Sequence, residues 1–331
     1  MKNCVLYILI ILLLVIFLIS FGIGRYPISI ALLVKVLFSK ILPIQVTWPE
    51  VVNTVIFQIR LPRIIAAILI GASLSTAGVV YQGMFKNTLV SPDILGVSAG
   101  SAFGASLAIF LSFNMVKIQI FAFIFGLVGV ALTYFVSLKV KENITIGLVI
   151  IGVLVGSTFS SLTSLIKYLA DTNDKLPTIT FWLMGSLSSI TLQDIKFILM
   201  PIGLGMIPLY ILRWRLNVLS LNEEEAKTMG LDTFVLGNIV IICSTLMTAA
   251  SVSISGVIGW IGLVIPHLSR MIVGPNYKVL LPTTALLGSA YLLIIDSFVR
   301  SLVEVEIPLG ILTSLIGSPF FIFLLLKSRR G

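Results

Sequence analysis

Long apolar runs separated by short polar intervals fill most of the 331-residue chain. A membrane-crossing helix needs about 20 mainly apolar residues, and the run from Thr233 to Ser269 is too long for one. Because "SVSISGVIG" interrupts that run, we divide it near Ser255 and Gly256. The pattern then predicts ten transmembrane helices: two from the divided run, and eight from Asn3–Gly24, Ile64–Phe85, Ile94–Val116, Ile118–Leu138, Asn143–Ile166, Phe197–Leu212, Val279–Ile295 and Ile307–Leu326.

An even number of spans puts both termini on one side of the membrane. The C-terminal "KSRR" favours the cytoplasmic side, because cytoplasmic ends of membrane helices are enriched in Lys and Arg. The predicted fold is therefore an all-α polytopic membrane protein with ten transmembrane helices and both termini in the cytoplasm. Residues 1–331 are expected to form a single transmembrane domain.

One polar segment, "SLNEEEAKTMGLD" at residues 220–232, differs from its apolar flanks. Asn222 followed by Glu225 three residues later fits a capping box, and Gly230 fits a helix C-terminal stop. Helix Glu223–Met229 would measure roughly 10 Å, which is too short to cross a membrane. On the predicted topology it lies in the cytoplasm between the sixth and seventh spans. Two interpretations stay open, a solvated linker and a docking element for a cytoplasmic partner.

Composition agrees with a lipid environment, since 58% of residues are hydrophobic and 11% are charged, with a mean hydropathy of +1.15. Soluble domains carry about 25% charged residues. Cys4 and Cys243 lie far apart in or beside apolar runs, which indicates two buried thiols and no disulfide framework or metal site. The net charge of +9 is dispersed between the spans. We therefore expect headgroup contacts and no nucleic-acid partner.

Several chemistries lack the residues they need. The chain has no G-x-x-x-x-G-K-[ST] motif for nucleotide, and His267 is its single histidine. Asp296 is the main candidate for an intramembrane carboxylate, and Arg300 four residues later can pair with it. A secondary carrier or channel, or an intramembrane enzyme, would need more ionisable or paired catalytic groups inside the spans. If the protein transports a substrate, we expect another subunit to supply the energy.

Small residues are concentrated in "GASLSTAG", "GVSAGSAFGAS" and "GVIGWIG". In lipid such segments let helices approach closely. They could equally line a wide path that few side chains obstruct, so packing and pathway lining both stay open.

Four stretches carry a resemblance to a known family: "RLPRIIAAILIGASLSTAGVVYQGMFKNTLVSPDILGVSAG", "SISGVIGWIGLVIPHLSR", "LSLNEEEAKTMG" and "IPLGILTSLIGSPFFIFLL". Together they resemble the FecCD-type permeases of ABC importers for iron-siderophores and cobalamin. The similarity extends from Arg60 to the C-terminus, and the Pro-His-x-x-Arg signature with the Arg-Leu-Pro-Arg motif is its most specific part. The first 50 residues match in hydropathy only.

The resemblance implies partners. Family members work as a dimer of permease subunits, identical or paralogous, with two cytoplasmic ABC ATPases and an extracytoplasmic substrate-binding protein. It implies that Arg60, Arg63 and Arg300 face outward and pair with glutamates of the binding protein. Without the resemblance, Arg60 and Arg63 would be interpreted as headgroup anchors of a helix end.

The resemblance also implies sites on the cytoplasmic side. Asn87, Thr145 and Ile146 match the positions that narrow the cytoplasmic mouth of the pathway, although Ile146 replaces a small polar residue and Asn87 also suits an ordinary turn. The polar segment matches the ATPase-coupling loop, through the residues Asn222, Glu223, Glu224, Glu225, Ala226 and Gly230. Asn222 stands where the family commonly has Gly.

The signature residues are Gly259, Gly262, Pro266, His267 and Arg270. Residue chemistry alone gives His267 no catalytic duty, because a lone histidine behind a proline at a helix end is usually structural. Arg270 is expected to cap helix carbonyls or to meet headgroups.

The predicted function is that of a non-enzymatic permease subunit of an ABC importer in a bacterial or archaeal cytoplasmic membrane. Alternating access moves the cargo, and ATP and Mg²⁺ bind the separate ATPase, so this chain itself needs no cofactor or metal. An iron-siderophore is the favoured cargo because it is the commonest in the family; haem, cobalamin and molybdate are the alternatives.

Overall fold

The computed structural model describes residues 2–24, 26–39, 45–140, 144–221, 223–302 and 306–328. Within these ranges every regular element is helical. A π-helical segment, Thr54–Arg60, and a 3-10 turn, Pro92–Leu95, accompany the α-helices. The α-helices are α1 Lys2–Gly22, α2 Ile30–Phe38, α3 Glu50–Asn53, α4 Leu61–Met84, α5 Val97–Phe110, α6 Met115–Ser137, α7 Ile144–Leu169, α8 Lys175–Leu183, α9 Leu192–Ile211, α10 Arg213–Leu219, α11 Glu223–Thr228, α12 Thr233–Ser255, α13 Ile261–Val273, α14 Tyr277–Leu302 and α15 Leu309–Ser328.

Each of the ten predicted spans contains a helix. Seven helices in the described part of the chain are long and apolar enough to cross a membrane. The third, eighth and tenth predicted spans contain the shorter apolar helices Val97–Phe110, Ile261–Val273 and Leu309–Phe323. The all-helical fold is confirmed for these residues, whereas ten crossings and cytoplasmic termini stay predictions.

The second span is longer than predicted. Helical structure is continuous over Glu50–Met84, so Arg60 and Arg63 lie inside a helix rather than in a loop. The π-helical segment directly precedes Pro62, whose nitrogen cannot donate to a helical carbonyl. A wider turn of this kind accommodates such an interruption. The hydropathy scan began this span after Arg60 and Arg63 because both residues are charged. In the structure the surrounding helices, not lipid, enclose them.

Helix α4 lies at the centre of the bundle. Of its most apolar window, 83% is buried, against 17% for α1. It packs against α14, α12 and α13. Its small residues allow this, because a Cβ added to Gly71 would strike the carbonyl of Gly288, and one added to Gly78 would strike that of Gly262. Close packing is thereby shown for these glycines of the small-residue segments.

The break between the seventh and eighth spans lies where the sequence predicted it. Helix α12 ends at Ser255, and Gly256 adopts φ +67°. Trp260 also has a left-handed backbone, φ 71°, directly before α13 begins. The extended segment between the two helices is accommodated inside protein: the backbone N–H of Ser186 donates to the carbonyl of Ser255 at 2.8 Å.

Replacing Gly78 by Ala is expected to destabilise the bundle by about 1–3 kcal/mol, the usual cost of overpacking. The added methyl would collide with backbone, which cannot rotate away as a side chain can. Gly203→Ala is the matched control, since a Cβ at Gly203 in α9 meets nothing within 4 Å. That control should be neutral or slightly stabilising because Ala favours helix over Gly. Equilibrium unfolding in mixed micelles measures both, and equal effects would contradict the packing at this crossing.

Candidate functional site

The first candidate site is a cluster of buried charges where α4, α14 and the start of α15 meet. Arg63 comes from α4, Asp296 and Arg300 from α14, and Glu306 precedes α15. Arg60 lies one helical turn before Arg63. The structure thus brings together the three arginines that the sequence assigned to binding-protein docking.

Arg63 holds two carboxylates at once. Its Nε donates to Asp296 Oδ1 at 2.7 Å, and its Nη1 donates to both oxygens of Glu306 at 2.9 Å. All three are charge-assisted hydrogen bonds between ionised groups, which are stronger than hydrogen bonds between neutral groups.

Arg300 shares Asp296 with Arg63. Its Nε lies 3.1 Å from Asp296 Oδ2, within ion-pair distance but without hydrogen-bond alignment. Its Nη2 donates to the hydroxyls of Ser20, at 2.6 Å, and Ser297, at 3.2 Å. The predicted pairing of Asp296 with Arg300 across one turn of helix is confirmed.

Arg60 is held by carbonyls alone among the contacts of the described residues. It donates through Nη1 to Phe21 O and through Nη2 to Tyr26 O, the latter at 2.6 Å. Phe21 lies in the last turn of α1 and Tyr26 follows that helix, so Arg60 ties the second span to the end of the first.

The three arginines that the resemblance assigned to docking are buried rather than openly exposed. Arg60, Arg63 and Arg300 are 4%, 3% and 6% exposed. Burying unpaired guanidinium groups would be very costly, and the chain provides two carboxylates and several carbonyls instead. A partner would meet a buried cluster in which most of the charge is already paired within the chain. Docking itself stays a prediction.

Sequence reasoning missed Glu306. It stands directly before the last predicted span, where the chain enters that apolar run. A carboxylate at the edge of that span, near the same end of the bundle as Arg63, was the available signal.

A second network lies at the opposite end of α4 and joins the Pro-His-x-x-Arg signature to the first of the four family-like stretches. Arg270 in α13 donates through Nη1 to Gln82 Oε1 in α4. The Gln82 amide in turn lies 3.3 Å from the carbonyl of Val90. Arg270 therefore meets a side chain that we had not expected, and its Nη2 also donates to the helix carbonyl of Val79 at 3.5 Å, a long contact of the expected kind.

Tyr277 extends this network toward α10. Its hydroxyl donates to Val79 O at 2.9 Å, and its backbone N–H donates to Asn217 Oδ1 at 2.9 Å. Because Asn217 lies in α10, the segment before α11 is bonded to the first turn of α14, and through Tyr277 to α4.

The predicted coupling segment forms α11, packed beside α10 and α12. Ala226 is fully buried, whereas Leu221 and Met229 are exposed. Gly230 has φ +73°, and the N–H of Leu231 donates to Ala226 O at 3.2 Å, so the predicted helix stop is confirmed.

The other residues assigned to coupling add less. Asn222, the predicted cap, lies outside the described residues. Glu223 and Glu224 belong to α11, and the Glu225 side chain is exposed. An exposed Glu225 next to the buried Ala226 agrees with a helix that rests on the bundle and has one face outward.

The predicted gate residues lie in two segments. Asn87 is exposed, and its Oδ1 accepts from the N–H of Leu89 at 2.9 Å, which makes it a turn former. Thr145 is half-buried in the first turn of α7, and Ile146 is 51% exposed. The 3-10 turn that follows the Asn87 loop packs against α7. That contact lies around Gly152 and Gly156 rather than at Thr145 and Ile146, and the gating role of the two segments stays a prediction.

Asp93 in that 3-10 turn is a further buried group, accepting a hydrogen bond from the hydroxyl of Ser98. Burial raises the pKa of this carboxyl, and the Ser98 hydrogen bond partly offsets the shift. Its position at the start of α5 makes it a local support for that helix terminus.

The remaining signature residues surround the broken helix. Gly262 packs against Pro92 and α4, and Pro266 is buried inside α13. His267 stacks edge-on against Phe321 with ring centroids 6.3 Å apart. Gly259 lines an open cavity of 480 Å³ with Met184, Gly310 and Ser314. The described residues place His267 in an aromatic contact rather than beside a catalytic partner, and contain no group of His, Cys, Asp and Glu suited to a metal.

Both ends of the bundle are thus built from the motifs singled out in the sequence, and a profile of the FecCD transport family matches residues 12–327. The chain belongs to the FecCD transport family.

Relatives of this FecCD chain carry different cargo names. It is 45% identical over 313 residues to the molybdate import system permease protein of Haemophilus influenzae, covering 95% of this chain and 92% of the relative. It is 39% identical over 277 residues to an iron chelatin transport system permease protein of Helicobacter pylori, covering 84% of each chain.

A solved structure agrees with the fold. An inward-facing metal-chelate type ABC transporter superposes with a TM-score of 0.89 at 44% identity, over 98% of this chain and 99% of the other. This FecCD chain is therefore a membrane permease of an ABC importer of the metal-chelate type, a family of transport subunits whose ATPase is a separate protein.

Proposed function

We propose that the chain imports its cargo by alternating access, as one of two permease subunits assembled with two cytoplasmic ABC ATPases and an extracytoplasmic binding protein. Family membership across residues 12–327 carries this proposal. ATP and Mg²⁺ bind the ATPase, and this chain contributes no cofactor or catalytic group. The membrane is the cytoplasmic membrane, with both termini and α11 on the cytoplasmic side.

Helix α11 is the coupling element in this proposal. Its Glu225 side chain is exposed while Ala226 anchors it, and α10 beside it is hydrogen-bonded to Tyr277. Movement of α11 by the ATPases therefore reaches α4 and α14 through hydrogen bonds. The Asn87 loop follows α4 directly, and in this proposal it and the start of α7 form the cytoplasmic mouth.

The exposed face of α7 supports assembly with a second permease. Only 22% of its most apolar window is buried. That face includes Ser157, Thr158, Ser160, Ser161 and Ser164, all exposed. Hydroxyl-bearing faces of membrane helices pack against other helices or water-filled space in preference to lipid. We assign this face to the interior of the permease pair.

For the cargo we propose an oxyanion of the molybdate class. The sequence favoured an iron-siderophore on family frequency, but identity and coverage are both higher for the molybdate permease of H. influenzae than for the iron chelatin permease of H. pylori. That second relative keeps a ferric chelate as the alternative.

Uptake of radiolabelled molybdate into proteoliposomes that contain the complete importer tests the cargo. We expect ATP-dependent accumulation that excess unlabelled molybdate abolishes and a ferric hydroxamate leaves unchanged. Accumulation of a labelled ferric hydroxamate, with no molybdate uptake, would assign the cargo to the iron chelates instead.

A further inference from the structure

The two carboxylates on Arg63 are not equivalent. Asp296 is fully buried and also serves Arg300, so it cannot leave without stranding two guanidinium groups. Glu306 is 29% exposed and contacts Arg63 alone among the ion pairs of the described residues. It precedes α15 in a segment without regular structure. Glu306 is therefore the carboxylate on Arg63 that another anion can replace.

The cluster also has capacity for another anion. Among the described residues, three arginines face two carboxylates, which leaves one positive charge in excess. Arg63 Nη2 is buried with no hydrogen-bond partner in the described part of the chain. A guanidinium group presents a fork of donors suited to bidentate carboxylate binding, and this fork is incompletely used.

We propose that Glu306 is an internal stand-in for a carboxylate of an acidic protein partner, and that the partner docks by displacing it from Arg63. This proposal rests on the proposed function, in which that partner is the binding protein. Before docking, Glu306 keeps Arg63 paired and aligned. On docking, the partner's carboxylate takes its place at the partly exposed side of the cluster that Glu306 occupies.

The exchange has a structural consequence because Glu306 lies three residues before Leu309. The N–H groups of Leu309 and Gly310 donate to the carbonyls of Gly185 and Met184 at 2.8 and 3.0 Å. Met184 and Gly310 line the 480 Å³ cavity. Displacing Glu306 thus releases a tether between the docking arginine and the cavity wall.

Glu306→Gln tests the proposal in the complete importer, with the cargo-free binding protein of the same system as the probe. The amide keeps the shape of the side chain but competes poorly for Arg63. We expect the Kd of the binding protein to fall about twofold to fivefold, as for loss of a partly exposed ion pair. Surface plasmon resonance on nanodisc-embedded importer measures it. Glu306→Asp, which shortens the same carboxylate, should give a smaller decrease.

Glu50→Gln is the matched control, because it removes an exposed carboxylate that, like Glu306, lies at the beginning of an apolar helix, here the one over Glu50–Met84. If both variants lowered the Kd of the binding protein equally, the effect would come from net charge rather than from Glu306 itself. That result would overturn the proposal. Unchanged or weaker binding by Glu306→Gln, with an unaltered melting temperature, would also overturn it. Failure of the binding protein to dock on the wild-type importer would instead contradict the proposed function.

Discussion

Replacing Asp296 by Asn is expected to lower the free energy of unfolding by about 3–5 kcal/mol, the cost of breaking a buried ion pair from one side. Asp296 is fully buried and lies within ion-pair distance of both Arg63 and Arg300. Its neutralisation would leave two guanidinium groups in the bundle with Glu306 as their one remaining carboxylate among the described ion pairs. Equilibrium unfolding in mixed micelles, with retained helicity followed by circular dichroism, measures the loss.

The control for this variant is Glu50→Gln, which removes an exposed carboxylate and should change stability by less than about 1 kcal/mol. A double variant, Asp296→Asn with Arg300→Gln, should be less destabilised than the two single changes added together, because the residues are in contact. A small loss for Asp296→Asn, or strict additivity, would show that the cluster does not carry the stability we assign to it.

Replacing Ala226 by Pro is expected to reduce ATPase copurification and ATP-dependent uptake at least about tenfold. Proline within a helix costs roughly 3 kcal/mol or more, because it loses a hydrogen bond and clashes with the preceding turn. Helix α11 has only six residues and cannot absorb that cost. Ala226 is also fully buried, so the ring would displace α11 from α10 and α12.

Ala226→Gly is the matched control. It keeps the backbone N–H and adds no bulk, at a propensity cost of about 1 kcal/mol. We expect it to retain most of the copurifying ATPase. If Ala226→Pro also retained the ATPase and responded to ATP, residues 220–232 would be a linker, as the alternative interpretation of the sequence holds.

Hydropathy predicted the long helices because lipid requires every membrane-crossing helix to be long and mainly apolar. Ten apolar runs each contain a helix, and the glycine-marked break after Ser255 is in place. Hydropathy did not predict α2, α3, α8 and α10, each of which has nine residues or fewer. Such helices are stabilised by packing rather than by their own periodicity.

The candidate site was only partly predictable for a related reason. Sequence spacing identified the Asp296–Arg300 pair because the two residues are one helical turn apart. The contact of Arg63 with Asp296 joins positions 233 residues apart, and no local pattern records it. The resemblance selected the three arginines, but their burial follows from how α1, α4 and α14 pack together.

Buried arginines also alter the expected behaviour of charge-reversal variants. Changing Arg63 or Arg300 to Glu would place a like charge beside Asp296, and changing Arg60 to Glu would place one against the carbonyls of Phe21 and Tyr26, so lost docking and lost folding would coincide. Variants at Glu306 separate the two effects, because this side chain is partly exposed and contacts a single arginine in the described ion pairs.

ATP dependence of uptake in a reconstituted system tests the central claim most directly. Proteoliposomes receive the permease with its ATPase and binding protein, or the permease alone, and radiolabelled molybdate and ferric hydroxamate are supplied in parallel. The account predicts accumulation of one cargo with ATP and the complete importer, no accumulation with a non-hydrolysable analogue, and no ATP hydrolysis by the permease alone. Accumulation by the permease without the ATPase would contradict it.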